Sequence, residues 1–154
     1  MPPTVIPCVS KIPEFVGRSL GTSDWIEISQ ERIDAFARAT GDDQWIHCDV
    51  ERALRESPWK QTIAHGYLTL ALIPVLLSQI VVVADVKTVV NTGTERVRLS
   101  APVPSGSRLR MSAAMESARG LLTGGVRVAY ALRFEVEGQP KPPCVATINC
   151  VYFA

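Results

Sequence analysis

The stretch His65–Val83 reads H-G-Y-L-T-L-A-L-I-P-V-L-L-S-Q-I-V-V-V, and its run of apolar side chains decides the fold. Thr69, Pro74, Ser78 and Gln79 interrupt the run. A helix built from such residues is apolar on every side, so the rest of the chain must enclose it. We therefore predict a buried central helix.

A membrane-spanning helix is the competing interpretation of this run, which approaches the ~20 residues that a bilayer requires. However, Pro74 lies near its middle, and the polar pair Ser78 and Gln79 follows soon after. Its flanks also lack the clusters of Lys and Arg that orient such helices. The sequence favours the core of a folded domain, and no membrane partner is expected.

Length and charge restrict the class of protein. A chain of 154 residues fits one domain with a single core. Its 16 Lys and Arg residues nearly balance 15 Asp and Glu residues, and the net charge is +1. No overall electric field therefore favours nucleic acid or an anionic membrane, and neither is an expected partner.

The N-terminus indicates a cytoplasmic protein, and the cysteines show no pairing pattern. Residues 1–13 lack a charged segment followed by an apolar one, so no signal peptide is predicted. The four cysteines are widely spaced and contain no C-x-x-C pair; they are Cys8, Cys48, Cys144 and Cys150. Neither a disulfide framework nor a zinc site is predicted from this spacing.

Prolines and glycines separate an N-terminal arm from the domain. Residues 1–22 contain four prolines and two glycines, a composition typical of an extended arm with little regular structure. Residues 23–154 are predicted to form the single domain, over which the arm wraps.

A strand and two short helices are predicted between the arm and the apolar run. A loose alternation of apolar residues predicts a strand within residues 22–28. Ser29 offers a capping oxygen to the helix that follows, and Gly41 ends its apolar periodicity. Asp49 caps a second helix that continues through Glu56.

After Ala84 the periodicity changes from that of helices to that of strands. Every even-numbered residue of 126–136 is apolar, which predicts a long strand with one buried face. A similar alternation predicts a strand at 108–116, a composition rich in strand-forming residues predicts one at 144–153, and 96–99 is a shorter candidate. The short turns between them imply antiparallel neighbours. The predicted fold class is α+β, with a curved sheet wrapped around one apolar helix.

Candidate site residues lie just before and at the start of the apolar run. Asp42 and His47 belong to the polar loop G-D-D-Q-W-I-H, and His65 and Gly66 begin the run. A histidine beside a carboxylate can hold a water molecule and pass protons at neutral pH. At a helix N-terminus, the Gly66 N–H can receive negative charge that develops on an oxygen atom.

Each of these residues also suits a structural role. Asp42 is a common turn residue, and a histidine beside an apolar segment is more often structural than catalytic. Two histidines with an aspartate also suit a metal ion, but H-x-E-x-x-H or comparable spacing is absent, and no metal is predicted. Arginines on the predicted strands either contact a phosphorylated ligand or, more commonly, form a solvated face; they are Arg96, Arg98, Arg108 and Arg110.

Two motifs make the chain resemble a known family. A-T-G-D-D-Q-W-I-H-C-D at Ala39–Asp49 and T-I-A-H-G-Y-L-T-L at Thr62–Leu70 resemble the MaoC-type R-specific enoyl-CoA hydratases, specifically their NodN-like branch. The resemblance runs from about Trp25 to the C-terminus and includes R-V-R-L-S-A-P-V-P-S-G-S-R-L-R from Arg96. It implies a hot-dog fold, in agreement with the helix and strands predicted from periodicity.

The resemblance also implies roles for individual residues. By motif position, Asp42 and His47 match the family's catalytic pair. Gly66 matches the glycine whose N–H binds the thioester carbonyl. His65 and Gln44, which adjoin them in the two motifs, are expected to bind substrate.

Two positions depart from the general pattern of the family. Gln44 and Trp45 stand where most members have Asn-Pro, as is common in the NodN-like branch. Pro74 stands where some members have a supporting serine on the central helix. The second departure bears on the fine geometry of the site and on the preferred acyl length.

The implied activity is the reversible hydration of trans-2-enoyl-CoA thioesters to (R)-3-hydroxyacyl-CoA, without a cofactor. The expected partners are an acyl-CoA thioester and a second copy of the chain, since a small sheet around one helix exposes its edge strands. Two alternatives stay open. Related hot-dog proteins cleave acyl thioesters, which allows a thioesterase, and the domain also suits a non-catalytic module that binds an acyl ligand.

Overall fold

A computed structural model describes residues 2–122 and 124–154, and an antiparallel sheet is its largest element. The strands are β1 Thr4–Ile6, β2 Ser19–Thr22, β3 Ile26–Ile28, β4 Val81–Val83, β5 Thr88–Leu99, β6 Ser107–Gly120, β7 Val126–Val136 and β8 Cys144–Phe153. The α-helices are α1 Gln30–Thr40, α2 Trp45–Cys48, α3 Val50–Glu56, α4 Gly66–Ala71 and α5 Ile73–Ile80.

The large sheet has the order β2-β6-β7-β8-β5, with β3 also paired to β6. Its pairs are antiparallel, as the short turns predict. β7 has the predicted bounds, and its even-numbered residues are buried. β5 begins at Thr88, eight residues before the predicted strand at 96–99. Both faces of β5 are exposed, so residues 88–95 carry no apolar alternation that would have predicted the first part of the strand.

The apolar run forms two helices and a strand, so the prediction of one continuous helix was wrong. Leu72 separates α4 from α5, with φ of −81° and ψ of −8°. Pro74 has no N–H to donate to the carbonyl of Leu70, and this explains the interruption. Val81–Val83 is β4, which pairs in parallel with β1. In the described part of the chain, no helix is long and apolar enough to cross a membrane.

The core lies between the sheet and the apolar helices. From α5, the side chains of Ile73, Leu76 and Ile80 are at most 1% exposed. From the sheet, Met111 and Phe134 are fully buried in the same cluster. The predicted α+β fold, with a sheet around an apolar helical segment, is confirmed.

The N-terminal arm has more regular structure than predicted. β1 pairs with β4, a 3-10 helix follows at Val9–Phe15, and β2 joins the large sheet beside β6. Ile6 and Ile12 are fully buried in the core. These elements are three to seven residues long, which is too short to show a periodicity. The prediction of an extended arm therefore rested on the prolines and glycines alone.

The caps of α1 and α3 are those predicted, and they position the loop between the two helices. The Ser29 hydroxyl accepts from the Arg32 N–H at 3.2 Å, and Gly41 ends α1 with φ of 79°. The Asp49 carboxylate accepts from the Arg52 N–H at 2.9 Å. Between them, the single turn α2 replaces the end of the predicted polar loop.

Candidate functional site

Two segments distant in sequence meet at the candidate site. The loop after α1 carries Asp42, α2 carries His47, and His65 and Gly66 lie at the start of α4. One ligand atom from each of Asp42, His47 and His65 lies within 4.8 Å of the others. The structure therefore brings together these predicted site residues. Within the described part of the chain, these three side chains also form a cluster that could hold a metal ion.

His47 is buried, with 8% of its surface exposed, and does not lie in the exposed polar loop that was predicted. Its Nδ1 atom is 2.6 Å from the carbonyl oxygen of Ile63. Because a carbonyl oxygen can only accept, Nδ1 carries the proton of the bond. The neutral ring then has its lone pair on Nε2, where it can act as a base.

The surroundings of His47 lower its pKa below the ordinary value of 6.5. Loss of hydration on burial is the largest cause. The hydrogen bond to the Ile63 carbonyl and the charge of Asp42 oppose it, while the nearby ring of His65 acts in the same direction as burial. His47 is therefore neutral at pH 7, as a base has to be.

Asp42 directs its carboxylate toward solvent at the edge of the site. Its side chain is 54% exposed, and one carboxylate oxygen is 4.0 Å from Nε2 of His65. The Asp42 carbonyl accepts a hydrogen bond from the same Nε2 at 2.8 Å. The carboxylate therefore stays accessible to water or to a ligand while the backbone is held.

Gln44 is exposed beside Asp42 and begins α2 through its backbone. Its carbonyl accepts from the N–H of His47 at 2.9 Å, and its side chain makes no capping hydrogen bond. An exposed amide here has access to a ligand, and its assignment to substrate binding stays a prediction.

Gly66 is the first residue of α4, as its proposed role requires. Among the described residues, its N–H has no hydrogen-bond acceptor. Its position also has a packing constraint, because a Cβ atom there would lie 2.3 Å from Cδ1 of Leu99 on β5. Gly66 therefore combines an available donor with a close approach to a neighbouring strand.

Gln30 is a residue of the site that the sequence analysis missed. Its side-chain Nε2 donates to the carbonyl of His47 at 2.7 Å, and its Oε1 accepts from the hydroxyl of Thr62. Gln30 thus joins α1 to α2 and to the segment before α4. In the sequence it is only a suitable residue for the first turn of a helix, and no motif marks it.

An apolar groove of about 380 Å³ lies along α5. Pro74 and Leu77 of α5, Val89 of β5 and Tyr152 of β8 are among its lining residues. The Tyr152 hydroxyl accepts from the Tyr130 hydroxyl at 2.8 Å, and both side chains are buried. The sequence did not reveal this groove because its walls come from separate elements.

Most of the arginines considered as phosphate ligands are ion-paired within the chain. The pairs are Arg96 with Glu116, Arg108 with Glu137 at 3.1 Å and Arg110 with Glu135 at 2.7 Å. Arg108 and Arg110 also lie over the ring of Trp25. These contacts favour the solvated strand face over a phosphate site.

Known proteins similar to this chain agree with the family that its two motifs resemble. Residues 11–131 match the family described as a MaoC-like domain. The 3-hydroxyacyl-thioester dehydratase Z of Mycobacterium tuberculosis is 46% identical over 146 residues, covering 95% of this chain and 96% of the relative. Nodulation protein N of Rhizobium meliloti is 40% identical over 139 residues, covering 90% and 86%.

Solved structures share the fold at lower sequence identity. The unliganded R-hydratase of Pseudomonas aeruginosa has a TM-score of 0.75 at 21% identity, covering 95% of this chain and 85% of that one. The (R)-hydratase of A. caviae has a TM-score of 0.71 at 18% identity, covering 88% and 94%. These similarities confirm the hot-dog fold.

Proposed function

This chain belongs to the MaoC-like dehydratase family, and we therefore propose that it adds water reversibly to trans-2-enoyl thioesters, with coenzyme A as the expected carrier. The product is the (R)-3-hydroxyacyl thioester. The observation that carries the proposal is the position of Asp42 and His47 beside the helix start at Gly66. A hydro-lyase needs an acid–base pair and an electrophilic donor in one place, and this site has both.

The reaction follows from the chemistry of these groups. When the Gly66 N–H polarises the thioester carbonyl, the β-carbon becomes electrophilic. Asp42 and Nε2 of His47 hold a water molecule and remove its proton, and the hydroxide portion bonds to the β-carbon. The proton returns to the α-carbon. Dehydration is the reverse sequence, and no step requires a cofactor.

We assign the acyl chain and the polar carrier of the substrate to different parts of the structure around the acid–base pair. The groove along α5 is mainly apolar, and its lining by Pro74 and Leu77 suits a hydrocarbon chain. Gln44, exposed at the start of α2, is assigned to the polar part of the substrate. Pro74 brings no hydroxyl to this wall, and it stands where some members of the family have serine.

A panel of trans-2-enoyl-CoA substrates of increasing length tests the function. Loss of enoyl absorbance, with chiral analysis showing the (R)-3-hydroxy product, is the expected result. Release of free coenzyme A thiol without hydration would identify a thioesterase instead. Binding of the thioester without either reaction would identify a non-catalytic acyl-binding module.

The pH dependence of hydration provides a prediction from the state of His47. We expect kcat/KM to fall at low pH with a midpoint below pH 6.5, because the reaction requires neutral His47 and its pKa is lowered. Lowering the pH through that pKa protonates Nε2 and removes the base. Initial rates measured at low substrate concentration over a series of buffers would show the limb. A midpoint above pH 6.5 would contradict the assignment of His47 as the base.

A homodimer with β5 at its interface is the assembly that we propose. β5 is the last strand of the large sheet, and all of its residues are exposed. It carries four exposed apolar side chains, namely Val89, Val90, Val97 and Leu99. An exposed apolar edge strand favours pairing with another chain. Pairing with a second copy would bury these residues and extend the sheet.

Light scattering at micromolar concentration is expected to give the mass of two chains. Replacing Val90 and Val97 by lysine should raise the dimer dissociation constant by at least ~30-fold, since like charges at an interface are costly. Leu122→Lys is the matched control, because Leu122 is fully exposed in the turn between β6 and β7. A monomeric wild-type protein at this concentration would contradict the proposal.

A cytoplasmic location completes the proposal. In the described part of the chain the four cysteines are free thiols, which suits a reducing compartment; they are Cys8, Cys48, Cys144 and Cys150. Fractionation of the native cells with an antibody against the protein would check the location.

A further inference from the structure

Each of the two histidines donates a hydrogen bond to a backbone carbonyl of the other segment at the site. His47, on α2, donates its Nδ1–H to the carbonyl of Ile63 at 2.6 Å. His65, at the start of α4, donates its Nε2–H to the carbonyl of Asp42 at 2.8 Å. The N–H of Ile63 donates in turn to the carbonyl of Ile46 at 3.0 Å. These hydrogen bonds join the loop carrying the acid–base pair to the segment leading into α4.

The ring of His65 is enclosed between two other rings. Its centroid is 3.8 Å from that of His47, with an angle of 29° between the planes. On α1, the Phe36 ring lies 5.0 Å away. Only 2% of His65 is exposed, so little of its surface remains for a ligand. Any contribution of His65 to the reaction therefore passes through the residues that it contacts.

Asp42 depends on His65 for its position. Residues 41–44 are exposed, and the Asp42 side chain is 54% exposed. Among the described residues, its other backbone hydrogen bond runs from its N–H to the Thr40 hydroxyl at 3.4 Å, near the limit for such a bond. Loss of the His65 donor would thus leave Asp42 free to shift relative to His47.

The hydrogen bond to Asp42 also decides which nitrogen of His65 carries the proton. The Asp42 carbonyl can only accept, so Nε2 of His65 is the donor. Nδ1 is buried and has no partner among the described residues, which leaves it as an acceptor in the neutral ring. The opposite tautomer would bury an unpaired N–H and place a lone pair against the carbonyl. The site therefore admits one neutral form.

We propose that His65 is a positioning residue: its Nε2–H holds the Asp42 backbone, and its ring supports the His47 imidazole beside it. This inference rests on the proposed function of Asp42 and His47. It assigns His65 to the alignment of the acid–base pair rather than to the substrate contact expected from its motif.

Two isosteric variants separate the donor from the ring. In His65→Gln the amide nitrogen reaches close to the place of Nε2, whereas in His65→Asn it lies close to that of Nδ1. We expect His65→Asn to lower kcat by about 100-fold with KM within about threefold, because a shift of ~1 Å in a reacting group has an effect of this size. His65→Gln should recover at least ~10-fold of that loss.

The comparison of the two variants separates positioning from folding. A purely structural role would lower the melting temperature and the active fraction of both variants without a selective recovery of kcat by glutamine. Equal kcat values in the two variants, whether normal or reduced, would overturn the proposal.

Nitrogen-15 NMR of the wild-type protein tests the same inference without relying on a variant's activity. The chain has two histidines, so the imidazole region contains two ring systems. We expect the neutral ring of His65 to carry its proton on Nε2 and the neutral ring of His47 to carry its proton on Nδ1. A wild-type His65 protonated on Nδ1 would overturn the proposal even if neither variant folded.

Variants of the acid–base pair distinguish the failure of this inference from the failure of the proposed function. If Asp42→Asn and His47→Asn hydrate enoyl thioesters normally, the proposed function fails and the positioning role fails with it. If those variants are inactive while the two His65 variants behave alike, only the positioning role fails.

Discussion

His47→Asn is expected to lower kcat for hydration by about 10²–10⁴-fold while the protein melts like its parent. The asparagine amide keeps an N–H near the place of Nδ1, so it can still donate to the Ile63 carbonyl that His47 contacts at 2.6 Å. It has no counterpart of Nε2, so the base is removed. Steady-state kinetics with a short enoyl-CoA and a thermal melt measure the two effects separately.

The choice of asparagine avoids a confounding loss of stability. His47→Ala would leave the buried Ile63 carbonyl without its donor, at a cost of about 1–3 kcal/mol. Alanine would therefore lower activity partly through unfolding, and the comparison of the two variants measures that part. A parental rate in folded His47→Asn would contradict the assignment of the base.

Asp42→Asn, alone and combined with His47→Asn, tests whether Asp42 and His47 act together. Residues that act as a unit show non-additive losses, so the double variant should be little slower than the slower single variant. Asp42 is exposed, and its carbonyl accepts from His65 whatever side chain it carries, so folding should be unaffected. Losses that multiply in the double variant would indicate that the two residues act independently.

Gly66→Pro, made in a Leu99→Ala background, is expected to lower kcat by about 10²–10³-fold. Proline removes the N–H that we assign to the thioester carbonyl, and it is well tolerated at the first position of a helix. Gly66 is that first residue, and its φ is not positive. The preceding His65 has ψ of 137°, which a residue before proline prefers.

The Leu99→Ala background removes a steric conflict at residue 66. Any side chain there approaches Cδ1 of Leu99 at 2.3 Å, so the parental chain would have to move Leu99 first. Gly66→Ala in the same background is the matched control, because it adds a Cβ and keeps the N–H. If alanine and proline lower kcat equally, packing at residue 66 matters and the N–H does not.

Local patterns in the sequence determined the elements whose stabilising contacts are themselves local or periodic. β7 was predicted with its true bounds because its single buried face imposes a period of two. Ser29 and Asp49 were recognised as caps because each bonds to the N–H three residues ahead. Residue type and spacing also indicated which residues form the candidate site, since both are properties of the chain.

The arrangement of those site residues was decided by tertiary structure. His47 bonds to a carbonyl 16 residues away, and His65 bonds to one 23 residues away. Such separations along the chain do not repeat, so no sequence pattern reveals them. The burial that lowers the pKa of His47 likewise depends on residues distant in sequence, and the ring of His65 is stacked against it.

Tertiary partners also decided where the apolar run stops being helical. Val81–Val83 could continue α5 as far as hydrophobicity is concerned, but it pairs with Thr4–Ile6 and becomes a strand. The hydrogen-bond partners come from the N-terminal segment, which is distant in sequence. Valine is β-branched and packs well in a strand, so it follows the strand pairing once those partners are present. β5 is the same case on a larger scale, because pairing with β8 makes it a strand although both of its faces are exposed.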